Sequence, residues 1–211
     1  MKLLVISSSG EIENEAKIIT SLFEAGLDCF HLRKHKLTTK KTRDLIKGIP
    51  EHFHNRIVIH SHHNLARKFN LKGIHLTKSH IKKKYKTWLS IKLIQLKNPN
   101  IIITTSFGNI GQLFEKEHRY PYSYVFLSPI FDSLNSKFQG AFTEHSLKSA
   151  ILKTNFDVVA RGGVDENALE KSNDIGFSGI AFYSCIWKKK DPLSAFNSLI
   201  EKCHELKIPI D

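Results

Sequence analysis

Short apolar runs alternate with longer amphipathic segments along the whole chain. Eight of these runs are predicted to be strands, at residues 2–7, 29–33, 56–60, 73–76, 101–105, 124–127, 157–160 and 179–182. Between them, apolar residues recur at helical spacing, as in Trp88, Ile91 and Ile94 or in Leu193, Phe196, Leu199 and Ile200. This alternation is typical of βαβ units that build a parallel sheet.

The fold class that we predict is α/β, a (β/α)8 TIM barrel, with residues 1–211 forming one domain. Eight strands joined by right-handed crossovers close naturally into a ring, and 211 residues lie near the lower limit for such a barrel. A hydrophobic content of 41% is enough for a sizeable core. The competing architecture is an open, doubly wound sheet, which requires no special chemistry after strands seven and eight.

Several residues indicate where helices begin and end. The acidic residues Glu11, Glu13 and Glu15 mark the start of the first helix, and Gly26 marks its end. Asp191-Pro192 opens the last helix with an N-cap and a proline in the first turn. After strand seven, Asp165 is predicted to begin a helix.

The chain carries a formal charge of +12 and has a pI near 9.6. A basic surface attracts polyanions such as nucleic acid, anionic membranes or phosphorylated small molecules. The densest basic run, residues 78–86, is either a solvated loop or part of such a contact. No aromatic-interleaved basic strand or nucleic-acid-binding module is evident, so nucleic acid is not the partner that we expect.

The sequence predicts a cytoplasmic protein without a membrane span. No stretch approaches the ~20 apolar residues that cross a bilayer, and the N-terminal apolar run is too short for a signal peptide. Cys29, Cys185 and Cys203 are scattered and odd in number, which is typical of reduced thiols in a cytosolic protein.

Two turns late in the chain have the composition of a phosphate site. Strand seven runs into Gly162 and Gly163, whose backbone can approach an anion closely. Strand eight ends in Tyr183 and Ser184, a short polar turn. In barrels the loops after strands seven and eight commonly form one phosphate site with amides at a helix N-terminus. The alternative is that the two glycines only make a tight turn.

An ordered set of short motifs resembles thiamine phosphate synthase and the related TenI-like proteins. The motifs are H-L-R-K (31–34), G-I-H-L (73–76), S-P-I-F-D-S (128–133), V-V-A-R-G-G-V (158–164) and G-F-S-G-I-A-F-Y-S-C-I (176–186). The resemblance covers essentially the whole chain. It implies an enzyme that joins hydroxymethylpyrimidine diphosphate to thiazole phosphate, using Mg²⁺ and releasing pyrophosphate.

The resemblance implies site residues position by position. Arg33 matches an arginine that faces the diphosphate, and a bidentate guanidinium suits that role. His35 stands where the family has a lysine, with Lys36 adjacent as a substitute. Thr104 keeps a hydroxyl after strand five, and Lys137 matches the lysine of the loop after strand six. Gly162, Gly163, Tyr183 and Ser184 match the product-phosphate cradle.

The expected Mg²⁺ ligands are absent. The aspartate after strand three is replaced by Ser61, next to His60, and the carboxylate after strand four is replaced by His80. Mg²⁺ prefers oxygen ligands, and imidazole replaces them poorly. Cationic side chains could instead neutralise the leaving pyrophosphate, namely His35, Lys36, His60, His62, Lys78 and His80. Alternatively, His60, His62 and His80 could bind a softer ion such as Zn²⁺, but histidines at a barrel rim more often bond to water or backbone, and we predict no metal site.

Three functions follow from these residues. The first is a transferase of the thiamine phosphate synthase type with a more cationic diphosphate site. The second is a TenI-like thiazole tautomerase, which Ser106 disfavours because that family has a proton-shuttling histidine there. The third is a non-catalytic homologue that binds thiamine or another phosphate ester. All three predict phosphorylated small molecules as partners, and a homo-oligomer is compatible with each.

Overall fold

The computed structural model describes residues 1–116, 118–131 and 142–210, and its strands form a closed barrel in the order β1 to β8. The strands are β1 Lys2–Ile6, β2 Cys29–Leu32, β3 Ile57–Ile59, β4 Gly73–Leu76, β5 Ile102–Phe107, β6 Tyr124–Leu127, β7 Val158–Arg161 and β8 Gly179–Phe182. The predicted barrel is therefore confirmed, and the open sheet is excluded.

Helices follow the strands in chain order. They are α1 Glu15–Glu24, α2 Thr39–Lys47, α3 Lys78–Lys82, α4 Lys84–Gln95, α5 Glu144–Lys153, α6 Ala168–Ile175, α7 Ser184–Trp187 and α8 Pro192–Glu205. Short 3₁₀ helices add Glu51–Arg56, His63–Arg67 and Ile110–Phe114. Within the described residues, no helix combines the length and the apolar character needed to cross a bilayer.

The chain divides into two compact units, Ile6–Thr104 (the N-terminal unit) and Met1–Val5 with Thr105–Asp211 (the C-terminal unit). In the N-terminal unit, Phe30 pairs with Ile57 across β2 and β3, and Ile59 pairs with Ile74 across β3 and β4. Each of these side chains is buried. Parallel strands covered on both faces read as continuous apolar runs, which is why the sequence pattern located them.

Helix α1 builds much of the aromatic core of the N-terminal unit. Ile19 and Leu22 are fully buried on its inner face. Phe23 stacks on Phe53 with ring centroids 5.1 Å apart and meets Phe30 edge-on at 6.3 Å. Burying side chains of this size contributes about 1.5–3 kcal/mol each, so this face fixes the helix against the strands.

In the C-terminal unit, close backbone approach requires a glycine at the start of β8. Gly179 pairs with Lys2 of β1 and with Val159 of β7. A Cβ at Gly179 would lie 2.8 Å from the carbonyl oxygen of Lys2. Substitution there would therefore force β1 and β8 apart.

Helix α8 begins as the sequence predicts. Asp191 is its N-cap, and Oδ1 accepts hydrogen bonds from the amides of Leu193 (3.0 Å) and Ser194 (3.2 Å). Phe196 and Leu199 are buried on its inner face. The cap and the apolar spacing together define this helix.

One predicted helix start is wrong, and another is confirmed at only one of its three residues. Helix α6 begins at Ala168 and not at Asp165, because Asp165 Oδ1 accepts the amide of Asn167 at 3.0 Å and forms a side-chain turn before the helix. Helix α1 begins at Glu15, the last of the three acidic residues predicted to mark its start, after Asn14 takes a left-handed backbone with φ 54°.

The basic run 78–86 is helical and not a loop, because it spans α3 and the start of α4. Lysine is a good helix former, and Thr77 and His80 form a reciprocal cap at the start of α3. In α4, Ile91 and Ile94 are buried as their spacing predicts, but Trp88 is 54% exposed. Trp88 therefore does not belong to the buried face.

A buried ion pair lies beneath the end of β2. Lys34 is completely buried, and its Nζ lies 2.6 Å from Oε2 of Glu15 and donates a hydrogen bond of 2.5 Å to the carbonyl oxygen of Gly10. Burial raises the pKa of the Glu15 carboxyl, and the hydrogen bond from Lys34 offsets only part of that effect. The charged form of the Glu15 carboxyl therefore depends on the adjacent ammonium group of Lys34.

We expect Lys34→Met to lower the free energy of unfolding by about 3–5 kcal/mol, because it leaves the Glu15 carboxylate buried without a cation. Urea denaturation followed by circular dichroism measures the loss. The matched control is Lys41→Met, which breaks the exposed pair between Lys41 and Glu11 and should cost no more than about 1 kcal/mol. Equal losses in the two variants would contradict the structural role of the buried pair.

Candidate functional site

The two turns after β7 and β8 lie at the same edge of the C-terminal unit. Arg161 pairs with Ala181 in the register of these neighbouring strands. Gly162 and Gly163 therefore leave β7 beside the point where Tyr183 and Ser184 leave β8. We call these four residues, Gly162, Gly163, Tyr183 and Ser184, the cradle.

The first turn of the cradle requires glycine. Gly162 and Gly163 have φ values of 92° and 68°, in the left-handed region that costs other residues about 1–2 kcal/mol. A Cβ at Gly162 would also lie 3.2 Å from Cα of Pro129 and 3.3 Å from Oγ of Ser128. The amide of Phe131 donates to the carbonyl oxygen of Gly162 at 3.1 Å, which holds the turn against the loop after β6.

The second turn of the cradle presents amides and a hydroxyl. The carbonyl oxygen of Tyr183 accepts hydrogen bonds from the amides of Ile186 (3.2 Å) and Trp187 (3.0 Å), which closes the turn. Ser184 opens α7, and N–H groups in the first turn of a helix have no intrahelical acceptor. Such amides can donate to an anionic oxygen.

Arg161 and Cys185 flank the cradle, and the sequence did not single them out. The guanidinium of Arg161 donates from Nη1 to Oγ of Ser106 at 3.4 Å and lies 6.0 Å from the ring centroid of Phe126. Burial raises the pKa of the Cys185 thiol to about 11. This thiol is therefore neutral near pH 7 and is a poor nucleophile.

The predicted diphosphate residues lie in the N-terminal unit. Arg33 follows β2, and its amide donates to Oγ of Ser7 at 2.8 Å, which fixes its backbone. His35 and Lys36 are exposed. Lys34 is the one residue of this segment whose charge points inward, and only its burial distinguishes it from its neighbours. Lys137 and the rest of residues 132–140 lie outside the described residues.

His60 lies in a cluster with two histidines that the sequence analysis did not consider. Nδ1 of His31 is 2.9 Å from Nε2 of His60, and the rings of His60 and His75 stack with centroids 4.0 Å apart. Nδ1 of His75 is 2.9 Å from Oγ1 of Thr104. All three rings are at most 5% exposed. We call His31, His60 and His75 the histidine cluster.

His62 and His80 do not join this cluster. Nε2 of His62 donates to the carbonyl oxygen of Leu37 at 2.8 Å, and its Nδ1 lies 2.9 Å from Oγ1 of Thr39. Nδ1 of His80 accepts the amide of Thr77 at 3.2 Å. The three-histidine set His60, His62 and His80 is therefore not formed, and in the described part of the chain the histidine cluster is the only potential metal-binding group found.

Two neighbouring histidines are held neutral. Burial lowers the pKa of His63 to about 3, and its Nε2 donates to the carbonyl oxygen of His75 at 3.1 Å. Burial, followed by the charge of Lys83, also lowers the pKa of His80. The ring of His80 packs on that of His63 with centroids 4.4 Å apart. Both rings serve here as packed hydrogen-bonding groups.

The residues at the expected magnesium position do not fit Mg²⁺. His60 and His80 offer nitrogen, and Oγ of Ser61 is a buried hydroxyl without a hydrogen-bond partner in the described structure. One neutral hydroxyl does not replace the carboxylates that Mg²⁺ prefers. We therefore derive no step through this ion.

Comparisons with known proteins agree with the motifs. The family model for thiamine monophosphate synthase matches residues 3–186. The chain is 22% identical over 202 residues to the thiamine-phosphate synthase of Methanobrevibacter smithii, across 94% of this chain and 93% of that protein. It is 24% identical over 203 residues to the enzyme of the same name from Vibrio campbellii, across 93% of this chain and 95% of that protein.

Solved structures agree as well. The crystal structure of thiamine phosphate pyrophosphorylase from Bacteroides thetaiotaomicron superposes with a TM-score of 0.77 at 30% identity, covering 97% of this chain and 98% of that chain. Thiamine phosphate pyrophosphorylase from Pyrococcus furiosus superposes with a TM-score of 0.74 at 18% identity, covering 97% of this chain and 96% of that chain. The two proteins share the fold. The predicted resemblance is therefore confirmed.

We expect Gly162→Ala to lower the free energy of unfolding by about 1–3 kcal/mol, since the new side chain meets both an unfavourable φ and its neighbours. Thermal denaturation measures the change. Gly108→Ala is the matched control in the same unit, because a Cβ there meets nothing within 4 Å. The account of this turn fails if the two alanine variants are equally stable.

Alkylation of Cys185 by iodoacetamide should speed up about tenfold for each pH unit up to about pH 11, because only the thiolate reacts. Peptide mass spectrometry assigns the modified residue. Glutathione, an ordinary exposed thiol, is the reference, and its rate of alkylation should level off at lower pH, near the lower pKa of its thiol. A plateau for Cys185 near pH 9 would show that burial does not hold its thiol neutral.

Proposed function

Because the chain belongs to the thiamine monophosphate synthase family, we propose that it is a transferase that joins hydroxymethylpyrimidine diphosphate to thiazole phosphate. The observation that carries this proposal is the cradle, which keeps its glycines, its hydroxyl and its adjacent turns on β7 and β8. Thiazole phosphate and the product thiamine phosphate both carry the monophosphate that such a cradle accepts. The substrates are thus phosphorylated small molecules, as the basic charge favours.

In the proposed reaction, the bond between the pyrimidine methyl carbon and the diphosphate oxygen breaks, and its electron pair leaves with pyrophosphate. The lone pair of the thiazole nitrogen then forms the new carbon–nitrogen bond. The chain's part is to hold the thiazole phosphate in the cradle and to stabilise the charge that develops on pyrophosphate. We assign the second task first to Arg33, whose guanidinium can bind two phosphate oxygens at once.

His35 and Lys36 are the further cations that we assign to the diphosphate, since both are exposed just after Arg33. We assign Lys34 no contact with the diphosphate, because its ammonium group is buried in an ion pair with the Glu15 carboxylate. His60 stays a candidate for contact with the substrate, whereas both ring nitrogens of His62 are already engaged by Leu37 and Thr39. The hydroxyl of Thr104 contacts His75. The proposed role of Lys137 rests on sequence alone.

The tautomerase function has less support. Ser106 stands where that activity needs a proton-shuttling histidine, and it accepts a hydrogen bond from Arg161. A hydroxyl held beside a guanidinium is not a base near pH 7.

We also propose a cytoplasmic location, since all three cysteines are free thiols. A homo-oligomer stays a prediction.

The direct test incubates the purified chain with both substrates, with and without Mg²⁺, and measures thiamine phosphate. We expect product in both conditions, since the chain offers its own cations. Product that forms only with Mg²⁺ would contradict the assignment of charge stabilisation to side chains. If no product forms in either the presence or the absence of Mg²⁺, the transferase proposal is overturned and the non-catalytic binding function is left.

We expect Arg33→Ala to raise KM for the diphosphate substrate about 10–100-fold, because one charge-assisted contact contributes about 1.5–3 kcal/mol. KM for thiazole phosphate should change little. Arg119→Ala, at an exposed arginine of the C-terminal unit, controls for the loss of overall positive charge. An unchanged KM in Arg33→Ala would remove Arg33 from the site.

A further inference from the structure

We propose that His31, His60 and His75 bind a divalent transition-metal ion of the Zn²⁺ class, with one coordination position left open. This inference does not rest on the proposed transferase activity. It follows from the placement, spacing and donor chemistry of the histidine cluster, and it differs from the sequence-based prediction of no metal site.

Backbone pairing positions the three imidazoles. His31 lies within β2, His75 lies within β4, and His60 directly follows β3, which pairs with both strands. The amide of His60 continues the ladder by donating to the carbonyl oxygen of Leu32 at 3.0 Å. The register that pairs Ile59 with Ile74 places His60 beside His75. Two ligands therefore lie within strands and the third lies directly at a strand end, and such positions hold a site more precisely than loops do.

The spacing of the nitrogens suits coordination. One ligand atom from each ring lies within 4.8 Å of the other two. A tetrahedral ion with nitrogen at about 2.0–2.1 Å requires its ligands to be about 3.3 Å apart. Nδ1 of His31 and Nε2 of His60, at 2.9 Å, are already close to this separation. Because the rings of His60 and His75 stack with centroids 4.0 Å apart, binding would require these two rings to rotate until both nitrogens point at the ion.

The surroundings of the cluster favour a transition metal over Mg²⁺ or Ca²⁺. Imidazole nitrogens are ligands of intermediate softness, which suit Zn²⁺, Co²⁺ or Ni²⁺. Oγ1 of Thr104 engages Nδ1 of His75 at 2.9 Å and so orients this ring from outside, as second-layer partners of metal-binding histidines do. We therefore assign Nε2 of His75 to the ion. With three protein ligands, the fourth position is open to water or an anionic oxygen.

The rival explanation is a metal-free hydrogen-bond network. A nitrogen–nitrogen distance of 2.9 Å also suits an N–H···N bond between His31 and His60. The two explanations differ in what the protein does when a metal is offered. A closed network excludes the ion, whereas a metal site takes up one ion with defined geometry.

The test uses the untagged full chain, stripped of metal with a chelator and titrated with Co²⁺ in the absence of substrates. We expect a single ion per chain, with the intense visible absorption of tetrahedral Co²⁺, and displacement of that absorption by Zn²⁺. Calorimetry with Zn²⁺ gives the affinity. Because no substrate is present, a chain without transferase activity can still pass this test, and an active transferase can still fail it.

Variants locate the site. His75→Ala and His31→Gln should each weaken Zn²⁺ binding at least tenfold and remove the tetrahedral absorption, while circular dichroism verifies that the variants fold. His52→Ala, at an exposed histidine of the same unit, should bind like the unmodified chain. The proposal is overturned if the unmodified chain shows no tetrahedral Co²⁺ spectrum, or if both cluster variants retain it. The unmodified chain alone decides the matter if a variant does not fold.

Discussion

The parallel register of the strands is the constraint on which both candidate sites depend. In a parallel ladder, neighbouring strands end at the same edge, so residues distant in sequence become neighbours there. The pairing of Arg161 with Ala181 brings the two turns of the cradle together. The pairing of Ile59 with Ile74 does the same for His60 and His75. A shift of one residue would turn each side chain to the opposite face.

The same constraint explains what the sequence could predict. Strands β4, β6 and β8 have the predicted bounds, and the other five differ by at most two residues at either end. Strands buried on both faces leave a short apolar run that contrasts with their surroundings. Helix starts were harder to predict because capping competes with helix formation. Asp165 satisfies the amide of Asn167 outside α6, and sequence alone does not show which of the two structures an aspartate will stabilise.

Burial of polar residues was the main feature that the sequence could not supply. Lys34 stands between Arg33 and His35 in a basic segment. The amino-acid sequence does not show that Lys34 alone is buried against Glu15. His31 and His75 each lie within a short apolar run, where a histidine can be either a buried packing residue or a functional group. Their contact depends on strand register, which a single sequence does not reveal. The glycine cradle was easier to predict because glycine directly indicates an unusual backbone.

A buried cluster of histidines differs physically from a buried cluster of carboxylates. A buried carboxylate needs a cation, and Glu15 shows that even a close lysine does not fully offset burial, since the pKa of this carboxyl is raised. Imidazoles can be buried and can form hydrogen bonds with one another, as the 2.9 Å contact between His31 and His60 illustrates. A histidine cluster is therefore compatible with a dry environment in which a pair of carboxylates would require a bound ion. The donor set then determines which ion can enter, and nitrogen donors select transition metals over magnesium.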